Sequence, residues 1–498
     1  MSQQQREGIL VAPHERLTPE QIKLVDGMSR ELLEDPGLLC YNRETVEILR
    51  AAGAKVEDAS ACARVRVPGA IVDRILASAP SRIVLGARDP NNRLVLDAHE
   101  PRVRIGSGSE SNVWLEVAFD GAVPQFARRP GTIRRLADSA HLAENLEHLD
   151  FFLRNVNIQD EEVTAANKDV NKLLASLNNT TKHVQAGLTE LEALDDVVRM
   201  GQIIAGGGEA FEQAPLLSFI TCVIKSPLQV VDDTAAKLIA ISRRRVPVVI
   251  SSCPMGGATG PFDELGMVAL VNAEVLAGVA IQQLASPGAP VLYGAVPVRT
   301  RLDNLNDMYA APEFVHYTLD CVQMARHYGL PCYSSAGVGD SSVPGIQATA
   351  EKILTLLTVP QGGPQYVHYA FGLLERTNTF CPEQAILDDA HIGLIKNTLR
   401  TPQIAAEGRQ PVLDTIREVM ESSHKTFMYH LPLPSRQSVY ARYPLEDEAG
   451  ALHAAHRRYR EILQAARKAI PAEVQQEILH EIPNILPQTM REPAPVGA

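Results

Sequence analysis

The chain has 498 residues, 45% of them hydrophobic and 21% charged, which is the balance of a globular protein and excludes a disordered or fibrous one. That length accommodates two average domains or one large barrel with extensions. A net charge of −12 argues against nucleic acid as the main partner, because phosphate binding needs a basic face.

Taken in chain order, "MSQQQREGILVAPHERL" lacks the charged-then-apolar pattern of a secretory leader. No run approaches the roughly 18 uninterrupted apolar residues of a spanning helix, so a cytoplasmic protein without a membrane partner is expected. Seven cysteines (Cys40, Cys62, Cys222, Cys253, Cys321, Cys332, Cys381) are scattered, odd in number and free of CxxC, which fits a reducing compartment. Thr18 and Gln21 form a capping signal ahead of a helical pattern, and "NRETVEILRAAG" and "PGAIVDRILASAP" continue in the same rhythm. Residues 1–100 are therefore expected to be a mostly helical N-terminal extension.

Over residues 101–375 short β-branched or bulky runs alternate with longer helical patterns. The runs are "RVRIGSG", "LDFFLRNVN", "HVQAGL", "LLSFITCVI", "VPVVISSC", "APVLYGAV", "LPCYSS" and "QYVHYAFG". Strand and helix alternating eight times predicts parallel strands with helical crossovers, and so an α/β (β/α)8 TIM barrel. A doubly wound open sheet is the alternative. Residues 376–498 read as a C-terminal helical extension, ending in "PQTMREPAPVGA", a frayed tail. The charged helix "HAAHRRYREILQAARKAI" could serve an interface between copies or simply face water.

In a barrel the site lies where strands end and βα loops begin. "GSGSES" (Gly106 to Ser111) lacks the GxGxxG spacing and precedes an extended run, so it fits a loop that lets another group approach backbone better than a dinucleotide motif. "NVNIQD" brings Asn155, Asn157 and Gln159 into one loop, and "CPMGGATGPFDELG" makes a long connection around Gly256 and Gly257. Aromatics are only 5% of the chain, yet "QYVHYAFG" holds Tyr366, Tyr369 and Phe371 with His368 among them. Strand alternation puts His368 on a face with Tyr366, and Tyr369 on a face with Phe371. Packing is the competing reading for all four, and His183 reads equally as a core histidine. Cys222, Cys253 and Cys332 lie on or beside three strands and could assemble zinc, although Cys332 falls at the wrong strand end. No Ser-His-Asp order, Schiff-base lysine or carboxylate pair stands out. Where side chains cannot supply the chemistry, a cofactor or second protein often does.

"RIGSGSESN", "NVNIQD", "NTTKHV", "VIKSPLQ", "CPMGGATGP", "NAEVLAGVAIQQLASPGAPVLYG", "QMARHYGLP" and the pair Gln347 and Glu351 together resemble the trimethylamine methyltransferase superfamily. The resemblance spans nearly the whole chain. It implies a (β/α)8 barrel that moves a methyl group from a methylated amine to the cobalt of a corrinoid (cobalamin) on a separate protein, with a second methyltransferase unloading it, tetrahydrofolate being a plausible final acceptor. Founding members carry pyrrolysine in the loop after the seventh strand. Here that loop is "GVGDSSVPGIQ", Ser342 stands in its place, and there is no lysine. The chain is thus similar to pyrrolysine-lacking relatives that demethylate quaternary amines such as glycine betaine.

The resemblance in turn implies site roles. Tyr293, Tyr333, Tyr369 and Phe371 are expected as walls of a cation cage, by cation–π attraction worth about 0.5–2 kcal/mol per ring. His368 is an orienting group, and Asp340 and Glu375 are electrostatic partners of the ammonium. Asn155, Asn157 and Gln159 contact substrate. Gly106, Gly108, Gly256, Gly257 and Ser342 face the corrinoid, and no resident metal is expected. Two other readings stay open: a zinc-dependent barrel methyltransferase or hydrolase, and a non-catalytic betaine-binding sensor.

Overall fold

The computed structural model describes residues 8–402, 404, 406–427 and 448–490, so most of the expected tail lies outside the described residues. All eight runs are strands: β1 (Arg102–Ile105), β2 (Phe152–Leu153), β3 (Val184–Ala186), β4 (Leu217–Thr221), β5 (Val248–Ser252), β6 (Val291–Ala295), β7 (Cys332–Ser335) and β8 (Tyr366–His368). They pair in parallel in the order β1-β8-β7-β6-β5-β4-β3-β2, with Ile9–Leu10 added antiparallel on β1 as a ninth strand. The sheet curls until its ends touch. Asp150 N donates to Ile105 O at 2.8 Å, Ser107 N to Phe151 O at 3.4 Å, and Ser107 Oγ to Leu153 O at 2.8 Å.

Period-2 alternation then splits the apolar residues into two cores. Val248 and Ile250 face outward into the main core beneath the helices. Val249 faces inward with Phe151, Leu153, Leu292, Tyr333 and Tyr366. A hairpin, Arg82–Leu85 with Leu94–Asp97, inserts Ile83, Leu85, Leu94 and Leu96 into this inner core. It sits at the N-terminal end of the strands, where Gly86 N donates to Pro215 O at 2.8 Å just before β4. That end is plugged, which leaves the C-terminal strand ends as the mouth.

The expected mostly helical N-terminal layer is instead mixed. Helix α1 (Pro19–Glu34) carries the predicted capping box of Thr18 and Gln21. Leu38–Cys40, Lys55–Asp58 and Ala63–Arg66, however, form a sheet with a hairpin from the loop after β4. These strands are short, and although Lys55–Asp58 and Ala63–Arg66 pair locally, Leu38–Cys40 also pairs with Gln229–Val230, about 190 residues away, so local periodicity carries little trace of the sheet.

Helix α2 (Glu264–Ala285) has 22 residues and, against the sequence expectation, is long and apolar enough to cross a membrane. It is a core helix, with 83% of its apolar window buried. Polar residues along it are paired internally: Tyr293 Oη donates to Asn272 Oδ1 at 3.0 Å, and Ser252 Oγ to Glu274 at 2.5 Å.

Helix α3 (Pro382–Leu399) follows β8 and lies beyond residue 375, where the sequence places the start of the C-terminal extension. Helix α4 (Glu448–Gln464) packs on α3. Nearby, the single tryptophan, Trp114, has its ring centroid 5.4 Å from Phe380 and 6.5 Å from Tyr459. The C-terminal part is helical throughout most of its described length.

Candidate active site

Inward-facing residues of β7 and β8 build the floor of the mouth. Tyr333 Oη lies 2.7 Å from His368 Nδ1, and Ser335 Oγ lies 2.6 Å from Nε2. Both ring nitrogens are thereby occupied, and burial pushes the imidazole well below its ordinary range. His368 is a neutral spacer that fixes Tyr333. The Tyr366 ring stacks on Phe151 at 3.5 Å, and its hydroxyl finds no partner.

Above the floor the strand alternation breaks. Tyr369 has φ +75°, a left-handed conformation unusual for a bulky side chain. The turn brings its ring 3.5 Å from the His368 centroid, onto the inner face rather than the outer one that alternation predicts. Tyr309, in the loop after β6, meets Tyr369 edge-on at 6.0 Å. The sequence reading missed Tyr309. Its only signal was an aromatic residue in a long βα connection.

Acids crowd the same rim. Asp340 accepts from Tyr309 N at 3.3 Å and Ala310 N at 3.4 Å, while its own amide donates to Glu351 at 2.7 Å. Burial, together with repulsion from Glu351 and Asp307, raises the Asp340 carboxyl to about 6. Asp307 is also raised, first by burial. Arg376 lies 3.7 Å from Asp307, so the under-compensated negative charge of the rim is that of Asp340, beside aromatic faces, which is what a desolvated organic cation needs. Burial keeps Tyr309, Tyr333 and Tyr369 protonated, so these groups offer no base. The arrangement can hold and orient a cation.

Cys222 and Cys253, just beyond β4 and β5, approach to 3.9 Å between sulfurs at this mouth, and both are solvent-accessible. Cys332 does not join them. It is an outward residue in the main core, buried, with its thiol pushed up to about 12. Among the described residues no three His, Cys, Asp or Glu side chains are grouped to hold a metal ion.

Several expected site residues lie elsewhere. Tyr293 occupies an outward register on β6 and bonds Asn272 of α2, so it walls no cage. Phe371 is buried in the main core. Glu375 is held below its ordinary range against the opposing effect of burial, because it accepts from Arg128 at 2.7 Å and Thr379 at 2.6 Å. It stabilises the turn after β8. Asn157 Nδ2 donates to Asn112 Oδ1 at 2.9 Å and Gln159 Nε2 to Asn112 O at 2.7 Å, so both brace a loop. Asn155 is buried at the end of β2 with its Oδ1 unpartnered. His183 is a core residue, bonded to Gly86 O at 2.7 Å and Ser218 at 2.8 Å.

Most of the glycines serve the protein's own packing. A Cβ on Gly106 would lie 2.4 Å from the Phe151 ring, and one on Gly108 would lie 3.0 Å from His368 and Tyr369. Around Gly256 and Gly257 the neighbours are Met267 and Phe262. Gly106, Gly108 and Gly256 are thus filled from within and give no cradle for a corrinoid, while Gly257 lies exposed beside the exposed Phe262 and Leu302. Ser342 lies exposed on the rim.

A separate cavity of about 580 Å³ lies between α3 and α4, lined by Glu147, Asp389, Arg457, Arg458 and Glu461 among others. Its mixed charges and its place between the two outer helices mark a polar seam, not the mouth.

Residues 3–430 match the family model described as trimethylamine methyltransferase (MTTB). The chain is 28% identical over 481 residues to trimethylamine methyltransferase MttB of Desulfitobacterium hafniense (strain DSM 10664 / DCB-2), covering 95% of this chain and 93% of that one. It is 26% identical over 467 residues to glycine betaine methyltransferase of D. hafniense (strain Y51), covering 92% and 94% respectively. Among solved structures, a dihydropteroate synthase from Coxiella burnetii aligns with TM-score 0.38 and 12% identity, over 64% of this chain and all of that one.

Proposed function

Because the chain belongs to the trimethylamine methyltransferase (MTTB) family, and is with it a methyltransferase, we propose that it takes a methyl group from a quaternary amine of the glycine betaine type and passes it to the reduced corrinoid of a partner protein. A second methyltransferase then removes the methyl group from that partner. We also infer a closed (β/α)8 barrel, a reading supported by the hydrogen bonds between β1 and β2 across the seam.

One observation carries the donor class. Tyr309, Tyr333 and Tyr369 converge at the mouth with Asp340 beside them, its carboxyl raised to about 6 by burial and neighbouring acids. A trimethylammonium group keeps its charge at every pH and cannot donate an N–H bond, so aromatic faces and a nearby carboxylate are the partners left to it. A quaternary amine also leaves as a neutral tertiary amine without being protonated. That matches a mouth whose histidine is neutral and whose phenols are protonated.

The corrinoid, as co-substrate, supplies the nucleophile that accepts the methyl group. The chain's own residues then bind and orient the donor. The phenol rings surround the ammonium, Asp340 offsets its charge, and the His368–Tyr333–Ser335 chain holds the floor rigid so that one methyl points outward. Of the glycines expected to admit the corrinoid, Gly106, Gly108 and Gly256 are packed from within, so contact with it falls to the rim of the mouth.

The test is methylation of free cob(I)alamin, followed by its visible spectrum, with a panel of quaternary and tertiary amines. Conversion with one betaine and not with trimethylamine is expected. Absence of conversion, together with no heat of binding for any quaternary amine, would refute the proposal. Binding without transfer, even with the carrier protein present, would make the chain a sensor.

A further inference from the structure

All seven cysteines are free. Four of them (Cys40, Cys321, Cys332, Cys381) are buried, and burial pushes every one of those thiols above the ordinary range, which makes them inert. Cys222 and Cys253 differ in exposure, and their mutual hydrogen bond lowers the Cys222 thiol while raising that of Cys253. Both are solvent-accessible, their sulfurs are 3.9 Å apart, and Ser251 Oγ lies 3.7 Å from Cys253 Sγ. Nothing in the methyl transfer uses them. They stand at the mouth, where Cys253 acts electrostatically on Tyr309 and both cysteines act on Tyr333 and Tyr369.

The frame beneath the pair is rigid. Strands β4 and β5 are in register through Phe219 and Val248, Ile220 and Val249, and Thr221 and Ile250. From α2, the Glu274 carboxylate accepts from Ser252 at 2.5 Å, Ser226 at 2.7 Å and Leu228 N at 3.0 Å, holding the segments that flank both cysteines. Forming a disulfide requires the sulfurs to close by about a further 1.9 Å, a movement within reach of side-chain rotation and a small loop shift.

We propose that Cys222 and Cys253 are an oxidation site, at which hydrogen peroxide converts the two thiols into a disulfide that closes the mouth reversibly; its effect on substrate rests on the mouth being the amine site. In the first step the Cys222 sulfur attacks peroxide: an S–O bond forms, the O–O bond breaks, and hydroxide leaves to become water. In the second, the Cys253 sulfur attacks that sulfenic sulfur. The S–S bond forms, the S–O bond breaks, and a second water leaves. Two thiols and one peroxide give one disulfide and two waters. Hydrogen bonding from Cys253 lowers the Cys222 thiol, which favours it as the attacking group. A corrinoid acceptor must be fully reduced, so a thiol pair at the mouth would shut donor access when conditions turn oxidising.

The experiment treats the full chain with hydrogen peroxide, alkylates it, digests it and reads the peptides by mass spectrometry. The expected product is a cross-linked pair of peptides holding Cys222 and Cys253, two hydrogens lighter than their sum and absent after dithiothreitol. Hydrogen exchange in the loop after β5 should slow on oxidation, a readout that needs no ligand. Glycine betaine affinity by calorimetry should fall at least about tenfold and recover on reduction. Cys222→Ser and Cys253→Ser should each lose the cross-link and respond to peroxide by less than twofold. Peroxide producing only separate sulfinic acids, or a cross-link that leaves loop exchange unchanged, would overturn the proposal. If the untreated protein binds no quaternary amine, the methyl-donor reading fails while the cross-link and the exchange rate still decide this one.

Discussion

Asp340 is where the electrostatics of the mouth become measurable. Its carboxyl titrates near 6 in the folded protein, above the roughly 3.9 of an unfolded chain. Between those values the folded state binds more protons, so stability from this group is full at low pH and is lost as pH rises through about 6. Binding runs the other way, because a quaternary ammonium prefers the ionised form. Affinity for glycine betaine should therefore rise about fivefold as pH rises from 5 to 7, and Asp340→Asn should flatten that profile; calorimetry across the pH range reads both. Tyr369→Ala should weaken the same binding by about two- to thirtyfold, the range expected for one cation–π face. Tyr293→Phe should leave it unchanged. Tyr293 and Tyr369 are indistinguishable by composition, and both were expected at the mouth. What separates them is the outward register of β6 at Tyr293 and the positive φ of Tyr369. The second of these ends the period-2 rule on which the sequence reading relied.

Among the elements, the eight strands and most of their helices were legible because each is set by its own periodicity. The hairpin of Arg82–Leu85 and Leu94–Asp97 was not. Each arm has four residues, and only burial against the ends of the strands of the curled sheet makes it strand rather than helix tail. Helix α2 was legible as a helix and misjudged for length and apolarity; its use of Glu274 as an anchor was invisible. Glu274→Ala leaves the hydroxyls of Ser226 and Ser252 and the amide of Leu228 without their acceptor. It should lower stability by about 3 kcal/mol in urea denaturation, with faster hydrogen exchange after β4 and β5. Unchanged exchange there would show that the carboxylate does not hold the two strand ends.

For the whole molecule, the single tryptophan reports on how the C-terminal helices seal the outside. Trp114 is 5% exposed, with its ring beside Phe380 and Tyr459. Tyr459→Ala should cost about 3–5 kcal/mol and shift Trp114 emission to the red before global unfolding. A blue emission retained in a destabilised variant would mean that α4 does not cover this ring.

By itself, the sequence determined the succession of strand and helix, the curled parallel sheet that follows from it, and the family. Periodicity is a property of neighbours in the chain, so these were available locally. Only the tertiary structure decided that Tyr309 joins Tyr369, that Glu375 is committed to Arg128 and Thr379, that Gly106, Gly108 and Gly256 accommodate the protein's own side chains, and that Cys222 and Cys253 meet while Cys332 turns away. Each of these depends on strand register, on one backbone angle at a strand end, or on a contact between residues far apart in sequence. Such distances become short only when the sheet curls and brings its loops to a common mouth.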